Sequence, residues 1–169
     1  LIAGCGTGQH AITTASKYKK SKILALDLSF KSLSYAKRKA NDLKINNIDF
    51  IQGDILDLEL IDRKFDIIES VGVLHHMDDP FKGWKVLTSC LNNDSLMLIG
   101  LYSENARQHI AQIKNKIHKL KLQSTYTNII KFRKDLIENN NNQWNDIKSS
   151  PDFYTVSGVR DLLFNVQEH

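Results

Sequence analysis

Three glycines near the start of the chain stand in a pattern suited to binding: Ala3-Gly4-Cys5-Gly6-Thr7-Gly8-Gln9. Glycine permits a sharp turn and leaves bare backbone for a ligand to touch. A helix that begins just after such a loop adds free N–H groups and the positive end of its dipole. Asp27 lies 19 positions after Gly8. A carboxylate at that place can accept both hydroxyls of a ribose. A second carboxylate, Asp54, stands in Gln52-Gly53-Asp54-Ile55, and a histidine pair, His75-His76, follows at greater distance. Histidine takes up a proton near neutral pH, so either ring is a candidate base, and packing or capping of a loop is the competing role. Cys5 inside the glycine loop reads as a small side chain fitting a tight turn, with a thiol activated by the helix N-terminus as the alternative.

The elements around these residues place them together. Leu1-Ile2-Ala3 reads as a strand running into the glycine loop, and residues 9–18 carry apolar side chains at helical spacing. Lys22 to Leu28 is a buried strand ending at Asp27. Ser29 is placed to cap a helix with the stripe Phe30, Leu33, Ala36, Ala40 and Leu43. Ile48 to Gln52 and Phe65 to Ser70 are the next strands, joined after Asp54 by an expected loop. Asp79-Pro80 starts a helix whose apolar face is Phe81, Trp84, Leu87 and Leu91, with both aromatics expected in the core. Asn92 to Asp94 is expected to be a turn before a fifth strand over residues 95–101. Such alternation implies an α/β fold, a doubly wound parallel sheet in the order 3-2-1-4-5 with helices on both faces. The glycine loop, Asp27 and Asp54 then share the carboxyl edge of the sheet, where open sheets of this kind bind ligands.

Past Tyr102 the pattern becomes helical. Ala106, Ile110, Ile113, Ile117 and Leu120 form one amphipathic stripe. Tyr126 to Ile137 suggests another, Asn139 to Asn142 an exposed loop, and Ser157 to Val166 a last short helix. The reading is a ligand-binding core over residues 1–101 and a helical extension or substrate lid over 102–169. The opening within an apolar run at Leu1 suggests a truncated start.

Composition narrows the function classes. The chain has 169 residues, 41% apolar and 25% charged, an ordinary globular balance that fits one domain. No apolar run is long enough to span a bilayer. The two cysteines, Cys5 and Cys90, form no CxxC or Cys/His cluster, so neither a metal site nor a disulfide framework is expected, and a reducing, cytoplasmic setting follows. The net charge of +4 comes from lysines spread along the chain, which does not favour nucleic acid as a partner.

Four motifs together resemble the class I S-adenosylmethionine-dependent methyltransferases. They are Leu1-Ile2-Ala3-Gly4-Cys5-Gly6-Thr7-Gly8-Gln9, Ala25-Leu26-Asp27-Leu28-Ser29, Asp49-Phe50-Ile51-Gln52-Gly53-Asp54, and the run from Phe65 to Pro80. The resemblance implies a Rossmann-like fold and S-adenosyl-L-methionine as cofactor. By that likeness Gly4, Gly6 and Gly8 cradle the methionine part, Asp27 holds the ribose, and Asp54 holds the adenine amino group. Ser70 sits beside the sulfonium, with Cys5, Leu28, Gly53 and Ile55 as neighbouring contacts. The later segments at Gly83 to Leu87, Ile99 to Ser103 and Asp161 to His169 resemble methyltransferase domains that follow tetratricopeptide repeats in bacteria. Such repeats would lie upstream of Leu1. The family's sheet usually adds two more strands, one antiparallel, so the sheet here is expected to be truncated before them.

The expected activity is methyl transfer to a small-molecule or protein acceptor, with His75 or His76 taking a proton if the nucleophile arrives protonated. A nicotinamide-dependent oxidoreductase shares the strand, glycine loop and Asp27. Its fingerprint asks for glycine where Gln9 stands, and it does not account for Asp54 or the histidine loop. A non-catalytic module that keeps the fold is the remaining alternative.

Overall fold

The computed structural model describes residues 1–103, 107–138 and 144–165. They fall into two compact units, Leu1–Leu101 and Tyr102–His169. In the first unit five strands form one parallel sheet: β1 (Ile2–Ala3), β2 (Ile23–Asp27), β3 (Ile48–Gln52), β4 (Phe65–Val71) and β5 (Leu91–Gly100). Their spatial order is β3-β2-β1-β4-β5, as the alternating pattern predicted. The order reverses between β1 and β4, which makes the edge above them the switch point.

Period-two alternation distributes the core. Ile2, Ile23, Ala25 and Ile48 pack on one face with Ala11, Ile12 and Ala15 of helix α1 (Gln9–Lys17) and Ala40 of α2 (Phe30–Asp42). Ala3, Leu24, Leu26 and Ile68 pack on the other with Ile55 and Leu58 of a 3-10 helix (Ile55–Leu60) and Val86 and Leu87 of α3 (Pro80–Ser89). Two caps appear where expected. The Ser29 hydroxyl accepts from the Ser32 N–H, and the Asp79 carboxylate accepts from the Phe81 N–H with Pro80 at the first helical position.

Four expectations are corrected. The segment Asn92 to Asp94 is not a turn but an irregularity inside β5, where Phe65 pairs with Leu91 and Ile67 with Leu96. Asp94 takes up the slack at φ 58°, a conformation that Asp tolerates better than most residues. Leu91 accordingly belongs to β5 and not to α3. The aromatics of α3 are also not core: Phe81 is 74% exposed and Trp84 38%, their rings stacked 6.3 Å apart. Pro80, Gly83, Val86 and Leu87 bury the helix instead, and Gly83 lies so close to Met77 that a Cβ there would stand 2.5 Å from its sulfur. On α2, Phe30 and Leu43 are exposed, because Leu33, Ala36 and Ala40 already form the whole contact. The stretch after Asp54, expected as loop, holds the 3-10 helix.

The second unit is helical: α4 (Gln108–Lys119), α5 (Tyr126–Glu138), α6 (Asn145–Lys148) and α7 (Val156–Val159), the last continuing as a π-helical turn over Arg160–Asn165. Ile110, Ile113, Ile117, Ile129, Phe132 and Leu136 join Phe153 and Val159 in its own core. Ala106, the loop at 139–142 and the segment from Val166 lie outside the described residues. Among the described residues no helix is long and apolar enough to cross a membrane, and no cluster of three or more metal-ligating side chains occurs.

Candidate functional site

The carboxyl ends of β1, β2 and β3 converge on one cavity of about 490 Å³, within the range of small-molecule sites. Gly4, Asp27, Leu28, Gly53, Asp54 and Ile55 line it, and so does His76. Seven of the twelve residues singled out from the sequence thus meet at one place.

The loop after β1 is bent by its hydrogen bonds. The N–H groups of Gly4 and Cys5 both donate to the Leu26 carbonyl, at 2.8 and 2.9 Å, pulling the chain across the end of β2. Gly4 has φ +79°, and a Cβ on it would meet Val73 Cγ2 at 2.2 Å, so this position admits no side chain. Gly6, at φ +54°, has nothing within 4 Å of where its Cβ would stand. Its free face is open space against which a ligand can lie.

Asp27 braces that loop. One carboxylate oxygen accepts from the Gly6 N–H at 2.7 Å and the other from the Ser29 N–H at 2.8 Å. Each oxygen keeps a lone pair for a further donor, such as a ribose hydroxyl. Asp54 accepts from the Leu56 N–H at 2.9 Å and so starts the 3-10 helix while lining the cavity. Burial, and then the nearby Asp27 charge, push the Cys5 thiol up to about 11. Cys5 is thus a neutral loop side chain and not an activated nucleophile.

Other expected residues lie elsewhere. Cys5, Gly6 and Gly8 shape the loop without lining the cavity. Ser70, expected beside the sulfonium, is 1% exposed on β4, and its hydroxyl finds no hydrogen-bond partner among the described residues. His75 is 1% exposed, its ring 4.3 Å from that of His76, so only His76 reaches the cavity. The structure also adds Val73, Met77, Asp78 and Lys82 to the lining. The signal for them was the glycine at 72 and the Asp79-Pro80 helix start, which fold the segment between them back over the edge. The carboxylates of Asp27, Asp54, Asp78 and Asp79 face one ammonium, Lys82, so the lining favours a cationic ligand.

Residues 2–154 match the sequence profile of a family described as a methyltransferase domain. The chain belongs to that family. Its fold and motifs are those of the class I methyltransferases, whose cofactor is S-adenosyl-L-methionine. Among relatives, an uncharacterized protein of Synechococcus sp. is 34% identical over 118 residues, 69% of this chain and 28% of that protein. A probable (S)-tetrahydroprotoberberine N-methyltransferase 2 of Papaver bracteatum is 31% identical over 99 residues, 59% of this chain and 27% of that protein. The chain therefore spans less than a third of the length of either. The structure of PKMT2 from Rickettsia typhi in complex with AdoHcy superposes with a TM-score of 0.73 over 99% of this chain and 34% of that one, at 23% identity, a likeness of fold. The cavity and the loop beside it fit the methyltransferase cofactor: two strand-end carboxylates and a lining that favours positive charge, with the open face of Gly6 on the adjoining loop.

Proposed function

We propose that the carboxyl edge of the sheet binds S-adenosyl-L-methionine and that the protein transfers its methyl group to a small-molecule or protein acceptor. The observation that carries this reading is the convergence of Gly4, Asp27 and Asp54 on one cavity at the switch point. When bound, the cofactor supplies an electrophilic methyl group on a positively charged sulfur. Asp27 accepts the ribose hydroxyls and Asp54 the adenine amino group, with Leu28, Gly53 and Ile55 against the nucleoside. Gly4, Gly6 and Gly8 offer backbone to the rest. Much of the acceleration comes from holding acceptor and methyl group close and aligned.

His76 is the proton acceptor for a nucleophile that arrives protonated, because its ring is the one that reaches the cavity. His75, buried behind it, is a positioning residue. The name of the Papaver relative suggests an amine nitrogen as the first acceptor class to test. Two free thiols fit a reducing, cytoplasmic setting.

Thermal melting with S-adenosylhomocysteine and with NAD tests the reading. Stabilisation by the first alone is expected. Stabilisation by NAD alone would reassign the site to nicotinamide chemistry. Incubating lysate with the protein and isotopically labelled cofactor then identifies the acceptor by mass spectrometry.

A further inference from the structure

One polar pair beside the glycine loop has no part in the cavity. His10 Nε2 and Glu69 Oε2 lie 2.5 Å apart, joining α1 to β4 across 59 positions of sequence. Their side chains are 62% and 22% exposed. Such an open pair adds little to stability, and α1 is already anchored by Ala11, Ile12 and Ala15.

The placement follows from the topology. Glu69 pairs with Ile2 in the sheet and alternates with Ile68, which packs against the face bearing the 3-10 helix and α3. The Glu69 side chain therefore lies on the opposite face, the one covered by α1. His10 is the second residue of α1 and follows Gly8 by two positions. The cavity holds Gly4 at the start of the glycine loop, and His10 follows the loop's end in the chain. Gly6, open to space and bonded to Asp27, lies between them in sequence.

Asp27 is bonded to the Gly6 N–H at 2.7 Å, so a ribose held by Asp27 has the glycine loop beside it for its 5′ substituent. In this cofactor that substituent ends in an ammonium and a carboxylate. We propose that His10 and Glu69 together bind this amino-acid end, Glu69 accepting from the ammonium and the His10 ring donating to the carboxylate. A doubly protonated His10 can give Nε2–H to Glu69 and Nδ1–H to the ligand, and Glu69 retains its second oxygen for the ammonium. One supporting feature belongs to α1 itself: its first turn holds no acidic residue to repel a ligand carboxylate.

This inference rests on the reading that the edge binds S-adenosylmethionine. Calorimetry with two ligands separates the claims: S-adenosylhomocysteine, which carries the amino-acid end, and 5′-methylthioadenosine, which lacks it. His10→Ala and Glu69→Gln should each weaken S-adenosylhomocysteine about ten-fold, the scale of one hydrogen bond to a charged group. Both should leave 5′-methylthioadenosine within about two-fold, and His10→Gln, which keeps a donor, should recover part of the loss. Equal weakening of both ligands would make the pair a structural brace and overturn the proposal, as would no change with either. Failure of the unaltered chain to bind either ligand would instead overturn the reading of the site itself.

Discussion

The Asp27 carboxylate holds the Gly6 N–H at 2.7 Å and the Ser29 N–H at 2.8 Å, so one side chain ties the glycine loop to the end of β2 before any ligand arrives. On the proposed reading, in which Asp27 also takes the ribose, ligand binding and the shape of the loop are therefore coupled.

Replacing Asp27 with alanine removes both functions. The expected loss of S-adenosylhomocysteine affinity is about 1.5–3 kcal/mol, the scale for hydrogen bonds to a charged group, with a lower melting temperature as the loop is released. Asp27→Asn keeps one acceptor oxygen and should retain more stability than affinity. Calorimetry and thermal melting on the two variants check this, and unchanged affinity in both removes Asp27 from the site.

The glycines should separate by cause. Gly4→Ala meets Val73 Cγ2 at 2.2 Å in addition to its φ of +79°. It should lose stability through overpacking of about 1–3 kcal/mol as well as backbone strain. Gly6→Ala meets no atom within 4 Å. It should melt closer to the parent chain yet bind S-adenosylhomocysteine less well, since its methyl group occupies the open face. Equal melting temperatures for the two variants would contradict this division.

Cys5 should be slow to alkylate. Its pKa is raised from 9.0 to about 11, first by burial and then by Asp27, so the thiol stays protonated near neutral pH. Reaction with iodoacetamide should accelerate as pH climbs toward 11, and Asp27→Asn should speed it at fixed pH. Since the folded state disfavours the thiolate, the stability tied to this group is complete below pH 9.0 and is lost as pH rises through about 11. A fast reaction at pH 7 would contradict the assignment.

On α3 the exposed and buried faces should respond differently. Phe81→Ser should change stability by no more than about 0.5 kcal/mol, as for an ordinary surface site. Leu87→Ala should cost about 2–5 kcal/mol, because Leu87 is fully buried among the residues of the sheet core. Denaturant unfolding of both variants measures the contrast.

The histidines should part in the same way. His76→Ala should slow methyl transfer, by about 10²-fold or more if a proton must leave the acceptor, with S-adenosylhomocysteine affinity little changed. His75→Ala should chiefly lower the melting temperature, since that ring is buried. A His75 variant that keeps its stability but loses turnover would exchange the two roles.

The amino-acid sequence alone determined the strand order, the edge that bears the site, and seven residues of the cavity. Those features are local in origin. A glycine loop, a carboxylate at the end of a strand and a Ser or Asp–Pro helix start each act on backbone within a few residues, and the right-handed crossover rule does the rest. Only the tertiary structure decided which face of α3 is buried. There Gly83, not Phe81 or Trp84, permits close approach to Met77, and no periodicity distinguishes the two. It also decided that His75 faces inward while His76 faces the cavity, although the two are adjacent in the chain. The His10–Glu69 pair was illegible for the same reason: 59 positions separate them, and only the pairing of β1 with β4 brings them within reach.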